Sequence, residues 1–177
     1  ALVSRAFTPR RIALPEPLGA RALPDLKVGA ASPTDHPLHL APPGVFLTPG
    51  AAAVVRDADV FLSLDWVDLA GTLKQGFGND EVGARVTQVS MDQVLHNGIN
   101  MDHQGLPPTD LALFCDPESA VGDLAREIGV HAPKYAPAHD ASKPTSQNGP
   151  TSIGMLAGAL RDALQGRDAC LLHLPLG

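Results

Sequence analysis

Positive charge is in deficit in this chain of 177 residues, where 13 Lys and Arg stand against 19 Asp and Glu for a formal net charge of −6. A surface that tracks phosphates gains its affinity by releasing counterions to clustered cations, and no basic run supplies one here. With one Trp, one Tyr and five Phe besides, a nucleic-acid partner is not expected. Cysteine is equally scarce. Cys115 and Cys170 lie far apart, outside any C-x-x-C pair and each within an apolar run, which argues against a disulfide framework and for reduced, buried thiols. No apolar stretch approaches the roughly 18 residues of a membrane span. No charged-then-apolar leader with a small-residue cleavage site opens the chain. These absences predict a soluble, intracellular, cytoplasmic protein without a membrane partner.

An apolar fraction of 44% with 18% charged residues is that of a globular protein and too apolar for disorder. A chain of this length buries roughly 70% of its unfolded surface. One domain, or one domain and a piece of another, is the natural expectation. The sequence begins at Ala1 and stops at Gly177 directly after the apolar residues 169–176, so both ends read as cut from something longer.

The middle of the chain alternates short apolar runs with helix-like segments. Residues 60–64 precede Asp65, residues 86–91 precede Asp92, and residues 111–115 precede Asp116. Near-continuous apolar strands with polar tips suit a parallel sheet covered on both faces. Val67, Leu69, Ala70, Leu73 and Phe77 recur at helical spacing, which predicts a helix over 66–77. Asp116-Pro117-Glu118 supplies a capping carboxylate, a proline at the first helical position and a first-turn acid. Val121, Leu124, Ala125 and Ile128 then form a stripe that Gly129 is placed to end. Residues 131–150 hold four prolines and no hydrophobic period, the pattern of a linker. Thr151-Ser152 can cap a further helix with Ile153, Leu156, Leu160 and Leu164 on one side and Gly166 at its close, before a strand over 168–174. The first 50 residues carry weaker signals. Pro15 and Pro17 interrupt a helix running into Gly19, 21–23 is barely a strand, and 27–50 reads as one long loop.

Three strands each followed by an aspartate is the most suggestive chemical pattern, because ligands of open parallel sheets gather outside the carboxyl ends of the strands. Two of the three have structural explanations. Asp116 reads as a helix cap, and Asp65 as a cap supported by Asp68 three residues on. Asp92 remains as the candidate for a ribose hydroxyl. Two histidine groups invite a metal, His36 with His39 and His96 with Asp102 and His103, but neither has a recognised ligand spacing, so no metal site is expected. Gly76-Phe77-Gly78 follows a helix and has Glu81 where a third glycine belongs, which removes the dinucleotide reading. No phosphate loop and no nucleophile elbow occurs. Trp66 serves equally as a packing residue or as a ring that stacks on a base.

The ordered set Lys27-Val28-Gly29, His36-Pro37-Leu38-His39-Leu40, Pro43-Gly44, 58–64, 86–92 and 110–116 with its helix resembles the central domain of thiamine-diphosphate-dependent enzymes. The group is that of acetolactate synthase, benzoylformate decarboxylase and related 2-oxo acid decarboxylases and carboligases. Those families show a G-K-G turn, an H-P-L-x-L-G-x-x-G loop, an A-D-x-x-[IL] strand and an I-x-[IV]-D-x-D strand. The stretches at 64–69, 96–98 and 104–108 look closer to the acetolactate-synthase-like members, and the likeness covers Leu18 to Val130. Residues 151–177 resemble the opening helix and strand of the following, cofactor-binding domain, in which Gly177 matches a glycine near the diphosphate. The resemblance implies an α/β, Rossmann-like parallel sheet with helices on both faces, lacking its first strand and glycine-rich turn before residue 20. The implied division is a central domain over 1–132, a linker over 133–150, and the start of the next domain over 151–177.

For the longer parent the resemblance implies thiamine diphosphate and magnesium, a 2-oxo acid substrate and self-association into a homo-oligomer. It assigns no catalytic residue to this chain. The family's cofactor-activating glutamate and its G-D-G segment with a later asparagine have no counterpart in the sequence. Electron-sink chemistry belongs to the cofactor, and a protein without the groups that orient and ionise it is expected to be catalytically silent. Some members hold FAD or ADP on the central domain, and carried over this would involve Lys27, Gly29, Gly44, Asp65 and Asp92. The missing first turn, and residues 64–68 in place of an arginine-bearing G-x-R-F-D-D segment, favour a nucleotide-like fold kept for structure alone. The rival readings are a stand-alone nucleotide-binding or interaction module and a metal-dependent hydrolase using His36, His39, His96 and Asp102.

Overall fold

The computed structural model describes residues 8–25, 32–33, 36–42, 44–92, 103–130, 132–135, 151–164 and 166–167. The chain divides into two compact units, Ala1–Pro137 and Ala138–Gly177.

In the first unit, three apolar segments pair as one parallel sheet in chain order: β1 (Val60–Leu64), β2 (Arg85–Val89) and β3 (Leu111–Leu113). The fold class is α/β with a Rossmann-like parallel arrangement. The first strand has the expected bounds. The second starts one residue earlier and ends at Val89, leaving Met91 exposed, and the third ends at Leu113 with Phe114 exposed. The common reason is a change of direction at the tips. The Ser90 N–H donates to Leu113 O at 3.2 Å as the last rung, and the chain bends at Met91 and at Cys115. Cys115 is a free thiol and only partly buried.

Helices α3 (Pro49–Asp57) and α4 (Leu69–Phe77) pack against each other and over one face of this sheet. The loop expected over 27–50 ends at Thr48, because the Thr48 hydroxyl accepts the Ala51 N–H at 3.2 Å and Pro49 fills the first turn of α3. The helix expected over 66–77 starts at Leu69, since the capping residue is Asp68. Val55, Leu69, Leu73, Phe77, Ala84 and Val86 form the core, with Leu47, Phe61, Trp66 and Val82 packed onto it. Phe61 and Val86 are register partners on the same sheet face, and Phe61 meets Phe77 edge-on at 6.5 Å. On the opposite face the exposures are 61% for Val60, 40% for Leu62, 51% for Leu111 and 38% for Leu113, whereas Val89 is buried.

The amino-terminal segment gives two short helices, α1 (Thr8–Ala13) and α2 (Pro15–Leu18), broken between Ala13 and Pro15 as the proline spacing requires. Residues 21–23 contribute one isolated parallel bridge, Ala22 to His39. Helix α5 (Pro117–Glu127) starts as expected, with the Asp116 carboxylate accepting the Ser119 N–H at 2.9 Å, and Gly129 follows it in the left-handed region at φ 72°. Of its stripe, Val121 and Ala125 are buried, while Leu124 and Ile128 stay more than a third exposed. Arg11 of α1 pairs with Glu118 of α5.

Asp110 locks the start of the sheet. Its carboxylate accepts the Val86 N–H at 2.8 Å and an Arg85 guanidinium N–H at 2.9 Å. The Val86 N–H, with Arg85 in support, holds this carboxyl below its ordinary value of 3.8. A depressed folded-state value means the contribution is complete above that ordinary value and is lost as pH falls through the folded one. Asp110→Asn keeps a neutral acceptor, so its urea midpoint is expected to fall less steeply than the parent's below about pH 4. Parallel curves for the two proteins would show that Asp110 plays no part in the acid transition.

In the second unit, α6 (Ile153–Leu164) forms where expected. The Ser152 hydroxyl accepts the Met155 N–H at 3.2 Å, and Gly166 follows in the left-handed region at φ 74°. Its Ile153, Leu156 and Leu160 are exposed. The strand expected over 168–174 lies outside the described residues. Among the described residues no helix is long and apolar enough to cross a membrane.

Candidate functional site at the strand tips

The carboxyl ends of β1 and β2 are joined by a short polar chain. Asp65, the first residue beyond β1, has φ 58°, a left-handed conformation that aspartate adopts more readily than bulkier residues. This lets its N–H donate to Val89 O at 2.8 Å. Its Oδ1 accepts the hydroxyl of buried Ser90 at 2.6 Å, and the Ser90 hydroxyl accepts the Asp92 N–H at 3.0 Å. Asp65 and Asp92 are thus brought together through Ser90, with both aspartates exposed. Sequence reasoning missed Ser90. A serine between Val89 and Met91 carried no signal beyond polarity inside an apolar run.

Asp65 is therefore not the helix cap it was expected to be. That role belongs to Asp68, whose Oδ1 accepts the Gly71 N–H and whose Oδ2 accepts the His103 N–H, each at 2.9 Å. A Cβ at Gly71 would lie 2.1 Å from Asp68 Oδ2, so a side chain there would displace the capping carboxylate. One carboxylate thus starts α4 and pins the segment that returns toward β3. Asp68→Ala is expected to cost about 2 kcal/mol, from a lost cap and an orphaned N–H, and to raise amide exchange at His103 as well as at Gly71. A loss confined to Gly71 would show that His103 is held by other means.

Trp66 is a packing residue. Its ring lies on the core and its indole N–H donates to the Thr72 hydroxyl at 2.9 Å. Gly44 lies on the loop before α3 and, with Trp66, Thr72 and Gln75, lines a cavity of about 20 Å³, the room of a single water. Gln75 fixes this loop by accepting the Leu47 N–H at 2.6 Å and donating to Val45 O at 3.2 Å. Lys27, Gly29 and Gly177 lie outside the described residues, as do His96 and Asp102. His36 is engaged by Glu16 and by the Leu38 N–H. Among the described residues no three His, Cys, Asp or Glu side chains gather closely enough to hold a metal ion.

Two carboxylates and a serine hydroxyl at strand tips suit the hydroxyls of a ribose, for which carboxylates are natural acceptors. They do not suit a diphosphate, which calls for cations or a helix amino terminus. The cluster thus lacks the groups that would hold the diphosphate of thiamine diphosphate. Set against protein-family models, curated proteins and solved structures, the chain matches none of them.

Proposed function

We propose that this chain is the central scaffold domain of a thiamine-diphosphate-dependent enzyme acting on 2-oxo acids, followed from residue 151 by the opening of the cofactor-binding domain. One observation carries the reading. The segments on which the resemblance rests, 58–64, 86–92 and 110–116, contain three adjacent parallel strands in that order, and the first two run into aspartates joined by Ser90. Such a domain holds two halves of an active centre in register and carries out no bond-making itself. Thiamine diphosphate, magnesium, the 2-oxo acid and the homo-oligomer belong on this reading to the parent. Lys27, Gly29, Gly44 and Gly177 remain candidates by resemblance alone.

The purified chain, supplied with thiamine diphosphate, magnesium and a range of 2-oxo acids, is expected to release no carbon dioxide above the protein-free rate. Turnover would overturn the reading. The parent coding sequence is expected to place a glutamate-bearing domain upstream and a G-D-G segment downstream.

A second reading is favoured by the exposure of Asp65 and Asp92 at the tips: a nucleotide-binding module without catalysis. Calorimetric titration with ADP, FAD and NAD separates the two. The scaffold reading expects no micromolar binding. Micromolar binding that Asp65→Asn or Asp92→Asn weakens at least tenfold would transfer the assignment to the module.

A further inference from the structure

His36 divides two sets of hydrogen bonds. Its side chain is 7% exposed and that of Glu16, which faces it, 11%. Nδ1 accepts the Leu38 backbone N–H at 3.0 Å, so this nitrogen carries no proton. Nε2 is then the protonated one and faces Glu16 Oε1 at 3.4 Å. On the Nδ1 side lies the turn 36–40, closed by the His39 N–H donating to His36 O at 2.9 Å. It carries the bridge to Ala22, in which the Ala22 N–H donates to Leu38 O and the Leu40 N–H to Ala22 O, both at 2.8 Å. On the Nε2 side, Glu16 of α2 also accepts the Lys134 N–H at 2.6 Å and the Tyr135 N–H at 2.8 Å, and the Tyr135 ring meets the imidazole edge-on at 4.6 Å.

We infer that His36 is a proton-operated release for the turn 36–40, taking up a proton at Nδ1, opening the turn and its bridge to Ala22, and leaving 134–135 fastened to Glu16. A protonated Nδ1 faces the Leu38 N–H as a second donor, and two donors at 3.0 Å do not share a bond. The ionisable groups that the described residues bring against the ring are the Glu16 carboxylate from α2 and the Tyr135 phenol from 132–135, with His39 on the turn itself. Histidine is the side chain that changes charge between about pH 5 and 8. Glu16 stays ionised across that range, held below its ordinary value of 4.5 first by the Lys134 N–H and then by the Tyr135 N–H and His36. It therefore accepts from the Nε2 proton in both states of the ring, and only the Nδ1 side changes. The turn continues into residues 41–42 and on to the loop that Gln75 fixes at Val45 and Leu47, which confines the released stretch.

Amide exchange and ¹⁵N ring shifts of the full 177-residue chain, followed by NMR between about pH 7.5 and pH 5, test this. The ring is expected to pass from the Nε2-protonated tautomer to the doubly protonated form. Over the same interval the protection factors of Ala22, Leu38 and Leu40 fall about tenfold while those of Lys134 and Tyr135 hold. A ring that stays neutral to pH 5, a ring that titrates with Leu38 still protected, or a loss of all five protections together would each overturn the proposal. His36→Asn offers the Leu38 N–H an uncharged acceptor, so its protection at Leu38 is expected to be independent of pH. If that variant does not fold, the ring shifts and amides of the parent decide alone.

Discussion

Truncating Leu73 to alanine is expected to lower the stability of the first unit by about 3 kcal/mol. Leu73 is 1% exposed on the inner face of α4, within a core whose other members come from α3, α4, β2 and the residue before β2. Removing its isobutyl group forfeits the transfer free energy of the lost carbons. The cavity left behind closes poorly, because the rings of Phe61 and Phe77 are already set edge-on to each other. Urea unfolding with an unchanged m-value checks the number. A loss under about 1 kcal/mol would mean that α4 does not seat on the sheet through this residue. Leu156→Ala on α6 is the contrasting substitution. That side chain is 61% exposed, and the change is expected to stay within about 0.5 kcal/mol.

What the sequence disclosed divides along the range of the interactions. β1 and the caps of α5 and α6 were legible because their causes lie within a few residues: a run of apolar side chains, Asp116 before Pro117, Ser152 before Ile153. Helix α3 was obscured by the prolines that precede it, although Thr48-Pro49 is itself a start signal. The exchange of roles between Asp65 and Asp68 turned on a backbone angle. Both aspartates stand before an apolar helical pattern, and only the left-handed conformation at Asp65 turns its side chain to Ser90 in place of a helix end. Glu16 could not be read at all. Its partners lie 20, 118 and 119 residues away, and the proline-rich segment around it has no period that would mark it as buried. Of the candidate site residues, Asp92 was singled out by the general rule about strand ends and Asp65 only by the resemblance, while Ser90, which joins them, follows from register alone.

Replacing Gly76 with alanine sets two effects of opposite sign against each other. Alanine is favoured over glycine inside a helix by about 1 kcal/mol, which by itself would stabilise α4. The new Cβ would, however, lie 2.4 Å from Val55 Cγ1 and 3.1 Å from Val55 Cβ, distances that require something to move. Val55 is buried and β-branched, with little rotamer freedom to retreat. The helices are also tied at this point by the Arg56 guanidinium N–H donating to Gly76 O at 2.9 Å. Overpacking therefore outweighs propensity, and Gly76→Ala is expected to lose about 2 kcal/mol net. The decisive measurement is a double-mutant cycle with Val55→Ala. That change alone costs about 2 kcal/mol as a cavity, and in the alanine-76 background the added methyl enters the vacated space. The pair is then expected to cost less than the sum of its parts by more than 1 kcal/mol. If Gly76→Ala instead stabilises the protein and the two changes add, α3 stands farther from α4 than the contact requires. The layer that seats α4, and through Asp68 the return of the chain toward β3, would then have to be held by the sheet side of the helix alone.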